Sequence, residues 1–220
     1  MQLQLPQLWL LDLRPLMQDE RWRAFLPELP IERQTRTRSC RREEDAARLT
    51  GAGFLLQQAL LSLNIPVSEQ IFRKNDWGKP YLASHAVEFS LTHASYYAAC
   101  ALDASSVGVD LEAPRITLAV AKRYFHPQEL AFLETLPEPE QPDALLRLWT
   151  IKEAYTKQLG RGLTVPFDSF YADLRETSAR LYQNGQSLPI RLHEYPLNGL
   201  RLCLCSNSDR PEITQFIPNL

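Results

Sequence analysis

Residues 148–163 read LWTIKEAYTKQLGRGL, and their spacing predicts an amphipathic helix. Leu148, Ile151 and Tyr155 recur at three- and four-residue steps and form its apolar stripe. Trp149 joins them as a buried ring, while Lys152, Glu153 and Lys157 fall on the other faces. Glu153 and Lys157 are four apart and therefore neighbours on the helix surface. Gly160 ends the run as a left-handed cap. Alone, such a Glu–Lys pair is an ordinary surface feature worth ~0.3–0.5 kcal/mol. Its company gives it weight.

That company lies upstream, where residues 108–112 read GVDLE. In an extended segment alternate side chains share a face, so Asp110 and Glu112 point one way while Val109 and Leu111 face a core. Two carboxylates on one face repel unless something positive separates them. An oxygen-seeking cation such as Mg²⁺ suits the position, because it takes one or two carboxylates and completes its shell with water and phosphate oxygens. A solvated surface strand is the plainer interpretation of the pentapeptide taken alone.

Around these two segments the chain repeats an order of helices followed by strands. A strand-like run at 8–13 leads to a short helix near 20–26, with Trp22, Phe25 and Leu26 inward, and to a helical pattern from 43 to 63. NDWGKP at 75–80 is turn chemistry. Strand-like runs follow at 87–91, 96–102 and 107–111. Helices are expected at 118–125, 127–136 and 143–159, then strands at 170–174, 180–182, 190–195 and 200–205. The order suggests two related α+β halves, 1–105 and 106–220.

Composition narrows the function classes. The 220 residues are 45% hydrophobic and 23% charged, enough for a real core. With 24 Lys and Arg against 26 acids the formal charge is −2, so no nucleic-acid or membrane partner is expected and an anion site must be a local patch. No apolar run is long enough for a membrane span. The start, MQLQLPQLWLLDLRPL, lacks a basic n-region and a cleavage site, which makes the cytoplasm the expected compartment. Cys40, Cys100, Cys203 and Cys205 have no paired CxxC spacing; Cys203 and Cys205 share one strand face and read as packing residues.

Candidate anion ligands are Arg33, Arg36, Arg48, Lys79 in GKP, and His93 beside Thr92 in FSLTHA, because guanidinium and ammonium groups suit a multiply phosphorylated ligand. A lone histidine is more often a packing residue. The sequence contains no GxxxxGK[ST], GxGxxG after a strand, HExxH or GxSxG, which removes the P-loop, Rossmann, zincin and α/β-hydrolase readings.

GVDLE and WTIKEAYTKQLGRGL, in this order, resemble the G-[IV]-D-x-E and W-x-x-K-E-[AS]-[FY]-x-K signatures of the Sfp-type 4'-phosphopantetheinyl transferases. Weaker similarity runs through REEDAARL (42–49), WGKPYL (77–82), FSLTHA (89–94) and AKRYFHPQE (121–129). The resemblance implies an α+β fold, two similar α/β halves related by pseudo-twofold symmetry, with the active site in the cleft between them. It implies a monomeric transferase that moves the 4'-phosphopantetheine of coenzyme A, with Mg²⁺, onto a serine of an apo acyl, peptidyl or polyketide carrier. It assigns the metal to Asp110, Glu112 and Glu153, and coenzyme A to Arg33, Arg36, Arg48, Lys79, Thr92, His93, Asp110 and Lys157. Glu153 and Lys157 become the catalytic pair, and Glu129 matches a further acidic position. Ser90 stands where Asn is usual, and Thr92 and Ala94 where serines are usual. A Mg²⁺-dependent nucleotide phosphodiesterase and a non-catalytic coenzyme A-binding module are the alternatives.

Overall fold

In β6 (Gly108–Glu112), Val109 and Leu111 are buried on one side and Asp110 on the other, as the alternation of an extended chain requires. The computed structural model describes residues 5–176, 178–209 and 211–216; Met1–Gln4, part of the stretch judged unlike a signal peptide, lie outside them. Before β6 come β1 (Gln7–Asp12), the short helices α1 (Arg14–Met17) and α2 (Trp22–Phe25), α3 (Ile31–Arg38), the long α4 (Glu43–Ser62), a small hairpin β2–β3 (Phe72–Lys74, Pro80–Leu82) and the hairpin β4–β5 (Glu88–Ala94, Tyr97–Asp103). After it come α5 (Leu118–Tyr124), α6 (Pro127–Thr135), the long α7 (Gln141–Leu159) and three short strands β7–β9 (Tyr171–Asp173, Arg180–Gln183, Gln186–Ser187). The hairpin β10–β11 (Arg191–Leu197, Leu200–Ser206) and β12 (Glu212–Phe216) complete the order. The fold is mixed α+β.

Both halves use one connectivity. The first sheet runs β12-β1-β5-β4 and the second β10-β11-β6; in each, the opening strand pairs antiparallel with the second strand of the closing hairpin. β12 crosses the expected boundary at 105/106. It pairs parallel with β1, so the end of the described chain joins the first half's sheet. Its EITQF is short and half-exposed, and gives little apolar alternation to read.

The two sheets share one core. Leu8, Ala99 and Ala101 meet Val109, Leu111, Leu202 and Leu204 between them, while α4 covers the outer face of the first sheet against Trp9, Leu11 and Cys100. On the outer face of the second, α7 packs Leu148, Ile151 and Tyr155 with Cys203 and Cys205; all four cysteines are free thiols. Burial of these faces is the main stabilising term. Among the described residues no helix is long and apolar enough to cross a membrane.

α7 lies unusually close to β6. A Cβ on Gly108 would stand 1.9 Å from the Ala154 carbonyl oxygen and 2.4 Å from the Gln158 nitrogen, so only hydrogen fits. Gly160 caps the helix at φ 66°, in the left-handed region that glycine enters freely. Two sequence expectations fail on this helix. Trp149 is only half-buried, and Lys152, expected on an outer face, is wholly buried, because α6 and the 167–170 segment cover that side.

Gly108→Ala is expected to cost at least the upper end of the ~1–3 kcal/mol typical of overpacking, lowering the melting temperature by about 6 °C or more. An unchanged thermal unfolding midpoint would contradict this packing.

Candidate active site

Strands β4 and β6 lie side by side without forming a backbone ladder. Side chains close the gap: the Val109 N–H donates to Ser90 Oγ (3.0 Å) and the Leu111 N–H to Thr92 Oγ1 (3.2 Å). This seam floors a cleft of about 620 Å³ walled by α3 and α4 on one side, α7 on the other, and the Trp77–Pro80 turn at one end.

Asp110, Glu112, Glu153 and Lys157 all line that cleft. Asp110 is buried; its Oδ1 accepts from Lys157 Nζ at 2.6 Å and from Thr92 Oγ1 at 3.3 Å, while Oδ2 is buried with no partner among the described residues. Lys157 also donates to the Val109 carbonyl (3.2 Å). Burial first, and the Asp110 charge second, raise the pKa of Glu112. Glu153 is pushed from 4.5 to about 7 by burial and then by Asp110, with Lys157 opposing. Three carboxylates therefore share a poorly solvated space with one ammonium.

That arrangement fits a hard divalent cation. The orphaned Asp110 oxygen is a free ligand atom, and the crowded carboxylates gain from a positive charge among them. Among the described residues no three His, Cys, Asp or Glu side chains are already grouped closely enough to hold a metal ion by themselves. The donor set suits an ion that takes part of its shell from a phosphorylated substrate.

The expected anion ligands divide into two groups. Arg33 and Arg36 line the cleft without side-chain hydrogen bonds to other described residues, and burial lowers the pKa of Arg33. His93 stands at the rim; although one edge is open to water, partial desolvation and then Lys157, Arg48 and Arg36 hold its pKa down. Lys79 reaches the cleft but donates to the carbonyls of Val107 (3.1 Å) and Gln158 (3.4 Å). It thereby ties the β2–β3 hairpin to the second half.

Arg48 and Thr92 are engaged elsewhere. Arg48 does not line the cleft; it bonds Asp45 (2.7 Å) and the Ser95 carbonyl (2.8 Å), anchoring α4 to the β4–β5 turn. Thr92 lines the cleft with its hydroxyl directed at β6 and Asp110. Glu129 lies apart from this group, buried in the second half with Lys152 (2.9 Å). Sequence reasoning gave no site role to Trp77 or Phe167, both of which line the cleft. Trp77 sits inside a motif that resembles the family, which is the available signal; Phe167 carries none.

The 4'-phosphopantetheinyl transferase superfamily model matches residues 106–205. The 4'-phosphopantetheinyl transferase Sfp of Bacillus subtilis (strain 168) is 32% identical over 213 residues, covering 90% of this chain and 91% of that protein. The 4'-phosphopantetheinyl transferase gsp of Aneurinibacillus migulanus is 32% identical over 166 residues, 74% of this chain and 70% of its own. Thermotoga maritima holo-[acyl-carrier-protein] synthase (AcpS), a crystal structure, matches at TM-score 0.39 and 18% identity over 46% of this chain and 61% of that one, too slight a likeness to define the fold. The chain belongs to the 4'-phosphopantetheinyl transferase family.

The raised Glu153 pKa has a stability consequence. Between 4.5 and about 7 the folded protein binds the proton that the unfolded chain releases, so stability falls as pH rises through that window. Glu153→Gln is expected to melt above the wild type at pH 8 and near it at pH 5 in the ligand-free protein. A variant that melts below the wild type at pH 8 would overturn the assignment.

Proposed function

We propose that this transferase moves the 4'-phosphopantetheine group of coenzyme A onto a serine hydroxyl of an apo acyl, peptidyl or polyketide carrier, releasing 3',5'-ADP. The observation that carries the reading is the convergence of Asp110, Glu112, Glu153 and Lys157 on one cleft floored by β4 and β6. It acts as a cytoplasmic monomer.

In this reading Asp110, Glu112 and Glu153 would hold Mg²⁺, and Asp110 Oδ2, without a partner among the described residues, is a ready ligand atom. Mg²⁺, when bound, supplies charge neutralisation on the diphosphate. Arg33, Arg36 and His93 receive the remaining phosphate charge. Lys79, Arg48 and Thr92 contribute by exchanging the internal bonds described above for ligand contacts, or by holding the walls in place.

The chemical step forms a bond between the serine oxygen and the β-phosphorus and breaks the bond from that phosphorus to the departing α-phosphate oxygen. A serine hydroxyl is too weak an acid to ionise alone, so as the new bond forms its proton passes to Glu153 or to a water that Glu153 orients. Lys157, 2.6 Å from Asp110, stabilises the transferring group with its ammonium.

Incubating the protein with coenzyme A, Mg²⁺ and a panel of apo-carriers, read by intact mass, is expected to show a carrier gaining one phosphopantetheine. Asp110→Ala is expected to lose at least about 100-fold in transfer rate. Glu153→Gln should lower turnover more than coenzyme A affinity. Nucleotide release without carrier modification would instead indicate a phosphodiesterase, and binding without turnover a coenzyme A-binding module.

A further inference from the structure

Asp110 is held from both edges of its strand. β11 pairs along one edge of β6, with Cys203 opposite Asp110. Along the other edge stand two buried hydroxyls of β4. Ser90 Oγ accepts the Val109 N–H at 3.0 Å, and Thr92 Oγ1 accepts the Leu111 N–H at 3.2 Å. Both chain neighbours of the acid are thereby anchored to the first half.

Thr92 also reaches the carboxylate itself. A hydroxyl carries a single hydrogen; with its oxygen taking the Leu111 N–H, that hydrogen is directed at Asp110 Oδ1, 3.3 Å away. Lys157 Nζ donates to the same oxygen at 2.6 Å and to the Val109 carbonyl at 3.2 Å. Both donors therefore fall on Oδ1, and Oδ2 is left buried without a partner among the described residues. A buried oxygen in that state is costly until something completes it. The terminal torsion of an aspartate is soft. Without the Thr92 hydroxyl, the carboxylate is free to turn and give both oxygens to Lys157.

We propose that Thr92, with Ser90 beside it, is a positioning residue for Asp110: the two hydroxyls fix the backbone on either side of the acid, and Thr92 occupies Oδ1 so that Oδ2 is the oxygen offered to a divalent cation. The proposal rests on the metal site of the functional reading above, and departs from the resemblance, which places Thr92 on coenzyme A itself.

The test compares two variants without any carrier present. Thr92→Val keeps the branched shape and removes the hydroxyl, whereas Thr92→Ser keeps the hydroxyl and removes a methyl group. Mn²⁺ uptake at saturating coenzyme A is read from the loss of the free-ion EPR signal. Thr92→Val is expected to bind Mn²⁺ about 10- to 100-fold more weakly than the wild type, and Thr92→Ser to bind it as the wild type does. Coenzyme A affinity, measured by calorimetry at saturating Mn²⁺, is expected to match the wild type in both.

Wild-type Mn²⁺ affinity in Thr92→Val would overturn the proposal, as would a Thr92→Ser variant as weak as Thr92→Val. A loss of coenzyme A affinity as large as the loss for Mn²⁺ would return Thr92 to the phosphate ligands and overturn it too. Should Thr92→Val fail to fold, a wild-type crystal with coenzyme A and Mn²⁺ decides: Thr92 Oγ1 still on Leu111 and Asp110 supports the proposal, and the hydroxyl turned onto a phosphate oxygen overturns it. A wild type that binds Mn²⁺ yet modifies no carrier would count against the functional reading and leave the positioning claim to these binding measurements. One that takes up no Mn²⁺ would overturn the positioning claim.

Discussion

The missing side chain at Gly108 is the constraint on which the rest of this site depends. With hydrogen there, α7 settles directly on β6, against Ala154 and Gln158. Glu153 and Lys157 flank this contact on the same helix, so both are brought beside Asp110, with the Lys157 ammonium 2.6 Å from its carboxylate. A larger residue would lift the helix and part the acids from the ammonium that balances them. The site is therefore a consequence of packing density as much as of residue chemistry.

A second device keeps the cleft open at its floor. β4 and β6 run side by side, yet Ser90 and Thr92 hydroxyls replace the carbonyls of a normal ladder. Buried N–H groups must be paired, and side-chain oxygens do so while holding the strands further apart than backbone pairing would. Lys79 and Asn75 reinforce the junction from the β2–β3 hairpin, reaching Gln158 and Gly160 of the second half. Neither half owns the site.

Much of this was legible in the sequence, for reasons that can be named. The period of Leu148, Ile151 and Tyr155 identified α7, and the alternation in GVDLE set Asp110 apart from Val109 and Leu111; both patterns follow from backbone geometry alone. Several features carried no such pattern. α3 lies in a run of arginines with almost no apolar stripe, and β12 is a short, half-exposed strand whose pairing with β1 is set by tertiary contact. Lys152 misled because a lysine off the apolar stripe reads as exposed, and only the later Phe167–Phe170 segment and Glu129 bury it. Ser90 differs from the family's usual asparagine, and its role in the seam appears only once β6 is beside it. Arg48 likewise looks free until Asp45 and Ser95 are seen to engage it.

The central claim is that Asp110, Glu112 and Glu153 hold one divalent ion beside a bound diphosphate. A crystal grown with coenzyme A and Mn²⁺, the latter located by its anomalous scattering, tests it most directly. The account predicts a single strong peak within bonding reach of all three carboxylates and of a diphosphate oxygen. Coenzyme A ordered in the cleft with the manganese elsewhere, or bound to none of the three, would contradict it.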